Sequence, residues 1–103
     1  KTTDMIDEAG AFGKKSTDAQ CFEEALSRYR ACTRAICELM QTPFATNCLL
    51  ASRKTPEFCE EVPSLATGDG GESWRKQRCL QLGGETTRCH SLLSVAQKHC
   101  WEL

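Results

Sequence analysis

Apolar residues along this chain recur at helical intervals, and no stretch alternates apolar and polar positions for long enough to make a strand. From Asp18 to Gln41 the series Phe22, Leu26, Tyr29, Ile36 and Met40 steps by three, four and seven residues, which predicts one long helix with these side chains on a buried stripe. Asp18 has the character of its N-cap, and Glu23 and Glu24 follow near the positive helix end. Thr42 before Pro43 reads as a cap and a first helical position, so a second helix is expected from about Pro43 to Arg53. Thr55 and Pro56 repeat that signal and predict a short helical turn reaching Glu61. Pro63 through Gly71, with Gly68, Asp69, Gly70 and Gly71, is expected to be an exposed loop. Ser73 then caps a helix through Leu82, Gly83 and Gly84 stop it, and Thr86 or Thr87 caps a last helix through Trp101.

Residues 1–17 are polar and carry Gly10 and Gly13, although Met5, Ile6, Ala9 and Phe12 line one short amphipathic turn. They are expected to form a flexible N-terminal arm ahead of a single disulfide-rich domain over 18–103. The scarcity of β-branched aliphatics supports the helical reading. Val and Ile together supply only Ile6, Ile36, Val62 and Val95, against ten Leu and ten Ala. The expected fold class is all-α: a small disulfide-stapled bundle of four main helices plus a short helical turn.

Cysteine changes the picture most. Eight in 103 residues is an even count in a small chain, which points to disulfides formed in an oxidising compartment, secreted or periplasmic. The intervening lengths are 10, 4, 10, 10, 19, 9 and 10 residues, with no close-spaced cluster of the kind that holds zinc or copper. Cys21, Cys32, Cys37, Cys48, Cys59, Cys79, Cys89 and Cys100 are therefore read as structural cystines. An eleven-residue step overshoots three helical turns by only about 20°, so Cys21 and Cys32 share one flank of a helix, as do Cys89 and Cys100. Cys37 lies about 140° around from Cys32, so on a regular helix it faces a different neighbour.

Two pairing schemes fit these positions. In one, Cys21 and Cys32 meet Cys100 and Cys89, leaving Cys37 for Cys48 and Cys59 for Cys79. In the other, Cys21 and Cys32 meet Cys59 and Cys48, an arrangement that resembles the twin-cysteine hairpin of the coiled-coil-helix-coiled-coil-helix proteins of the mitochondrial intermembrane space. The resemblance covers about residues 21–59. It departs from that family in having one residue more between paired cysteines, the extra Cys37, and Pro56 inside the would-be second helix.

Charge and motifs exclude more than they suggest. A formal charge of −1 and a pI near 6.1 supply no field for nucleic acid or an anionic membrane, and no apolar run approaches the ~20 residues of a membrane span. No basic segment followed by an apolar one opens the chain, so a secretion signal is expected to lie outside it. His90 and His99 stand half a turn out of phase on one helix and do not jointly hold one metal. Cys89 beside His90 diverges by about 100° and is expected to be oxidised, so acyl transfer is not supported. The acidic neighbours Glu23 with Glu24 and Glu60 with Glu61 make no glycosidase pair. The loop Gly68–Gly71 ahead of Arg75, Lys76 and Arg78 lacks the ending and the preceding strand of a phosphate loop, and reads as a connector.

No catalytic, cofactor-binding or metal residue is therefore assigned. The expectation is a non-enzymatic secreted or periplasmic module that binds another protein, with Met5, Ile6, Phe12 and Trp74 as its apolar contact residues. A structural or assembly factor of an oxidising intracellular space is the second reading. A small thiol- or metal-handling protein is the third.

Overall fold

In the computed structural model, which describes residues 2–102, the chain folds into six helices. They are α1 (Thr2–Lys14), α2 (Asp18–Ala31), α3 (Ala35–Ala51), α4 (Pro56–Glu60), α5 (Glu72–Gln81) and α6 (Thr87–Trp101). Lys1 and Leu103, the outermost residues of the expected arm and domain, lie outside the described residues. The fold is all-α and held by four disulfides, and no strand occurs among the described residues.

Residues 2–14 form a helix where the sequence predicts an arm. Ala9 on α1 is fully buried, and Met5 and Phe12 on the same side pack against the core. Gly13, part of the expected arm, permits close packing. A Cβ there would collide with the carbonyl of Cys48 and lie 2.9 Å from the Ala51 methyl. The turn after α1 closes with the Ser16 hydroxyl donating to the Phe12 carbonyl at 2.7 Å. It is then pinned to the segment after α3, where the Asp18 amide donates to the Arg53 carbonyl and the Arg53 amide to that of Ser16.

Helix α2 starts at a capping box one residue earlier than expected. The Thr17 hydroxyl accepts the Gln20 amide and the Gln20 side chain accepts the Thr17 amide, which leaves Asp18 inside the first turn. The predicted long helix ends at Ala31, because Cys32 to Arg34 turn extended and Cys32 closes a disulfide onto Cys37. A regular helix places those two positions on different flanks, so the bond requires the helix to break between them. Ile36 and Met40 therefore fall on α3 rather than on the α2 stripe, and Ile36 is 61% exposed. Pro43, expected to open a helix, lies inside α3. Its missing amide removes one intrahelical bond, and α3 continues through it, packed against α1, α2 and α6.

Neither expected pairing scheme is found. The bonds are Cys21–Cys48, Cys32–Cys37, Cys59–Cys100 and Cys79–Cys89. The first two join the start of α2 to the end of α3 and the end of α2 to the start of α3. Those helices thus form an antiparallel hairpin stapled at both ends, built with Cys37 and Cys48 in place of Cys48 and Cys59. The other two tie α4 to the end of α6 and α5 to its beginning.

The C-terminal half follows the sequence closely. Thr55 precedes Pro56 at the start of α4, residues 63–71 are a loop, and Gly83 and Gly84, both at positive φ, end the turn after α5. Ser73, expected to cap α5, lies inside its first turn and donates to Asp69, because Gly71 at positive φ takes the cap position. The Thr86 hydroxyl accepts the Cys89 amide and caps α6. The fully buried Gln97 fastens the loop to α6, its amide donating to the Pro63 and Gly70 carbonyls while its oxygen accepts from Arg75. Phe44, Leu92 and Leu93 fill the centre.

Candidate functional site

Helix α3 is apolar on two opposite sides. Phe44, Ala45, Cys48 and Leu49 occupy its inner face, beside the buried Gln41. On the other side Ile36, Leu39, Pro43, Thr46 and Leu50 follow at steps of three and four residues, which brings all five within about 80° of the helix circumference. Ile36, Leu39 and Leu50 are 61%, 51% and 78% exposed. The polar groups nearby turn back onto their own helix. The Thr46 hydroxyl donates to the Thr42 carbonyl at 3.0 Å, and the Asn47 amide donates to the Pro43 carbonyl at 2.8 Å.

Thr46 and Leu50 also form one wall of a groove of about 530 Å³ between α3 and α6, whose other wall includes Ser94, Val95 and Lys98. The exposed cations Arg34, Arg53 and Lys54 stand at the two ends of α3. This surface is hidden in the sequence because periodicity running through Cys32 places Ile36 on the buried stripe of α2. The three-four spacing from Ile36 to Leu50 was the available signal.

The four residues expected to contact a partner are not gathered in one place. Met5 and Phe12 pack inward, and the Phe12 ring lies 6.5 Å from that of Phe44. Ile6 on the same helix is 38% exposed. Trp74 sits on α5, half-buried and nearly parallel to Phe22 at 6.4 Å.

The buried titratable groups serve the fold. Asp18, with no exposed surface, receives hydrogen bonds from the Thr55 hydroxyl at 2.6 Å, the Thr55 amide at 3.2 Å, the Ala19 amide at 2.9 Å and His99 Nε2 at 3.2 Å. Burial pushes this carboxyl up, but those hydrogen bonds outweigh it and hold it below the usual aspartate range. Cys59 completes a cluster of metal-ligand type with Asp18 and His99, yet its sulfur is bonded to Cys100 and offers no thiolate. His99 borders the groove, but no hydroxyl among the described residues is hydrogen-bonded to its ring, and the Ser94 hydroxyl is directed to the Ser91 carbonyl. His90 accepts from Arg75 and pairs with Glu85. All eight cysteines are paired, so none offers a thiol for attack or for soft-metal capture.

Four disulfides suit a chain that matures in an oxidising environment, and among the described residues no helix is long and apolar enough to cross a membrane. Comparison of the chain with protein-family models, with curated protein sequences and with solved structures gives no match.

Proposed function

We propose that this chain is a non-enzymatic binding module, secreted or periplasmic, that docks a helix of another protein along the outer face of α3. The observation that carries the reading is the second apolar face on one helix. A helix that is apolar on opposite sides is normally covered on both, and here only the inner side is. Each large aliphatic side chain that leaves water is worth ~1.5–3 kcal/mol, so Ile36, Leu39 and Leu50 together make a substantial anchor. The three-four spacing suits a partner helix packed at a shallow angle. The cations at both ends of α3 favour a partner helix with acidic ends. Two staples, Cys32–Cys37 and Cys21–Cys48, fix α3 at both ends, which lowers the ordering cost of binding.

The test uses a synthetic amphipathic peptide with leucines at heptad a and d positions and glutamates at both ends, beside a lysine-ended control. Saturable binding of the acidic peptide, lost in Leu39→Glu and Leu50→Glu variants that keep their helical circular dichroism, supports the reading. No binding, or binding indifferent to those substitutions, overturns it. Sedimentation showing a dimer abolished by the same substitutions assigns the face to a second copy and overturns it as well.

The α2–α3 hairpin, stapled at both ends, favours a second reading as a structural or assembly factor of an oxidising intracellular space. Fractionation of the source cells separates the two readings. Recovery from the medium or periplasm supports the first, and recovery from the mitochondrial intermembrane space supports the second.

A further inference from the structure

Away from α3, a smaller cleft of about 210 Å³ opens where α2, α4 and α5 meet. Its lining combines aromatic rings with carboxylates. Phe22, 3% exposed, forms the floor. The Phe58 ring lies 5.5 Å from it and tilted by 59°, and the Trp74 ring lies 6.4 Å from it at only 16° from parallel. Glu23, Glu57 and Glu61 are all exposed at the edge, against one cation, Arg78. Three negative charges and one positive leave the lining at −2.

Arg78 shows what this surface accepts. Its guanidinium carbon lies over the Phe22 ring, 5.7 Å from the centroid, and one of its nitrogens approaches Glu23 at 3.8 Å. The first distance is near the outer limit of a cation–π contact, and the second is long for an ion pair whose acid is largely in water. The cleft thus holds a cation loosely, with π faces beneath it and carboxylates around it. A structural aromatic cluster needs no acidic edge, and an exposed acidic patch needs no aromatic floor. The two together match a ligand that carries positive charge and tolerates loss of water.

We propose that the Phe22–Phe58–Trp74 cleft, edged by Glu23, Glu57 and Glu61, binds a methylated alkylammonium ion, which displaces the Arg78 guanidinium from the Phe22 face. Methyl groups spread the charge and weaken hydration, so such an ion gains more from π faces than a bare ammonium does. The carboxylates attract it and exclude anions. The site is independent of the α3 face, and either stands if the other falls.

The experiment follows the Trp74 indole N–H resonance of the ¹⁵N-labelled protein during titration with choline chloride, with sodium chloride balanced throughout. The uncharged isostere 3,3-dimethylbutan-1-ol is run in parallel. A saturable shift with choline that the isostere does not produce is expected. Arg78→Gln, which removes the internal competitor, tightens binding by about threefold or more, and the Glu57→Gln/Glu61→Gln double variant weakens it by a similar factor. Phe58→Leu, which removes the ring but keeps a large apolar side chain, weakens it by about tenfold. A linear response, an equal response to the isostere, or weaker binding in Arg78→Gln overturns the proposal. A trimethyllysine peptide titrated beside choline identifies the source: tighter peptide binding assigns the site to a modified side chain, and tighter choline binding to a free solute.

Discussion

His99 on the last helix donates from Nε2 to a carboxylate oxygen of Asp18 at the start of α2, 3.2 Å away across 81 residues of chain. Neither side chain is more than 8% exposed. Thr55 binds the same carboxylate from the segment before α4, so one buried acid joins three separated stretches of sequence. Nearby, Cys21–Cys48 ties the same end of α2 to α3, and Cys59–Cys100 ties α4 to the end of α6 that carries His99.

This carboxylate makes stability depend on pH. Its folded value lies below the ordinary 3.8, so its contribution is complete above that value and is lost as pH falls through the lower, folded one. Asp18→Asn is expected to cost ~2–4 kcal/mol at pH 7, because Thr55 and His99 lose a charged acceptor. The variant should also lack the part of the acid destabilisation below about pH 4 that the wild type owes to this group. Urea unfolding from pH 2 to pH 7 measures both effects.

Two glycines on α1 should respond in opposite directions. A methyl added at Gly10 would meet no side chain and no neighbouring element within 4 Å, so Gly10→Ala gains ~0.5–1 kcal/mol from helix propensity. Gly13→Ala drives a methyl into the Cys48 carbonyl and should cost ~1–3 kcal/mol. Thermal melts give the sign, and limited proteolysis shows whether α1 has come away from α3.

The disulfides should open in order of burial. Cys21, Cys48, Cys79 and Cys89 have no exposed surface, whereas Cys32, Cys37, Cys59 and Cys100 are partly exposed. Limited reduction followed by alkylation and peptide mapping is expected to label Cys32–Cys37 and Cys59–Cys100 first, since exchange requires access to sulfur. Replacing both Cys21 and Cys48 by Ala should cost ~3–4 kcal/mol, and replacing both Cys32 and Cys37 about 2 kcal/mol, the larger loop constraining the unfolded chain more.

The two faces of α3 should differ sharply in what they contribute to folding. Ile36→Ser, Leu39→Ser and Leu50→Ser are each expected to change stability by no more than ~0.5 kcal/mol. Phe44→Ala on the inner face should cost ~3–5 kcal/mol, because Phe44 is fully buried and the Arg28 guanidinium lies 4.1 Å from its ring centre. Denaturant titration of the four variants checks the contrast.

Local chemistry along the chain determined the helical class, the start of α4 at Pro56, the loop over 63–71, the stop at Gly83 and Gly84 and the extent of α6. Each of these depends on propensity, capping or positive φ within a few residues. The even cysteine count with no metal-type spacing likewise pointed to cystines. Tertiary structure decided the rest. Gly13 is a packing contact only because Cys48 arrives opposite it, and Pro43 sits inside a helix that three neighbours hold in place. Periodicity ran through Cys32 because nothing local stops a helix there; the break accompanies the bond to Cys37, one of many pairings the spacing allowed. Ile36 and Leu39 carry the same apolar signal whether they face a core or open solvent, so their exposure depended on where the chain turned. Phe22, Phe58 and Trp74 lie on three helices far apart in sequence, and only the packing of those helices brings their rings to one cleft.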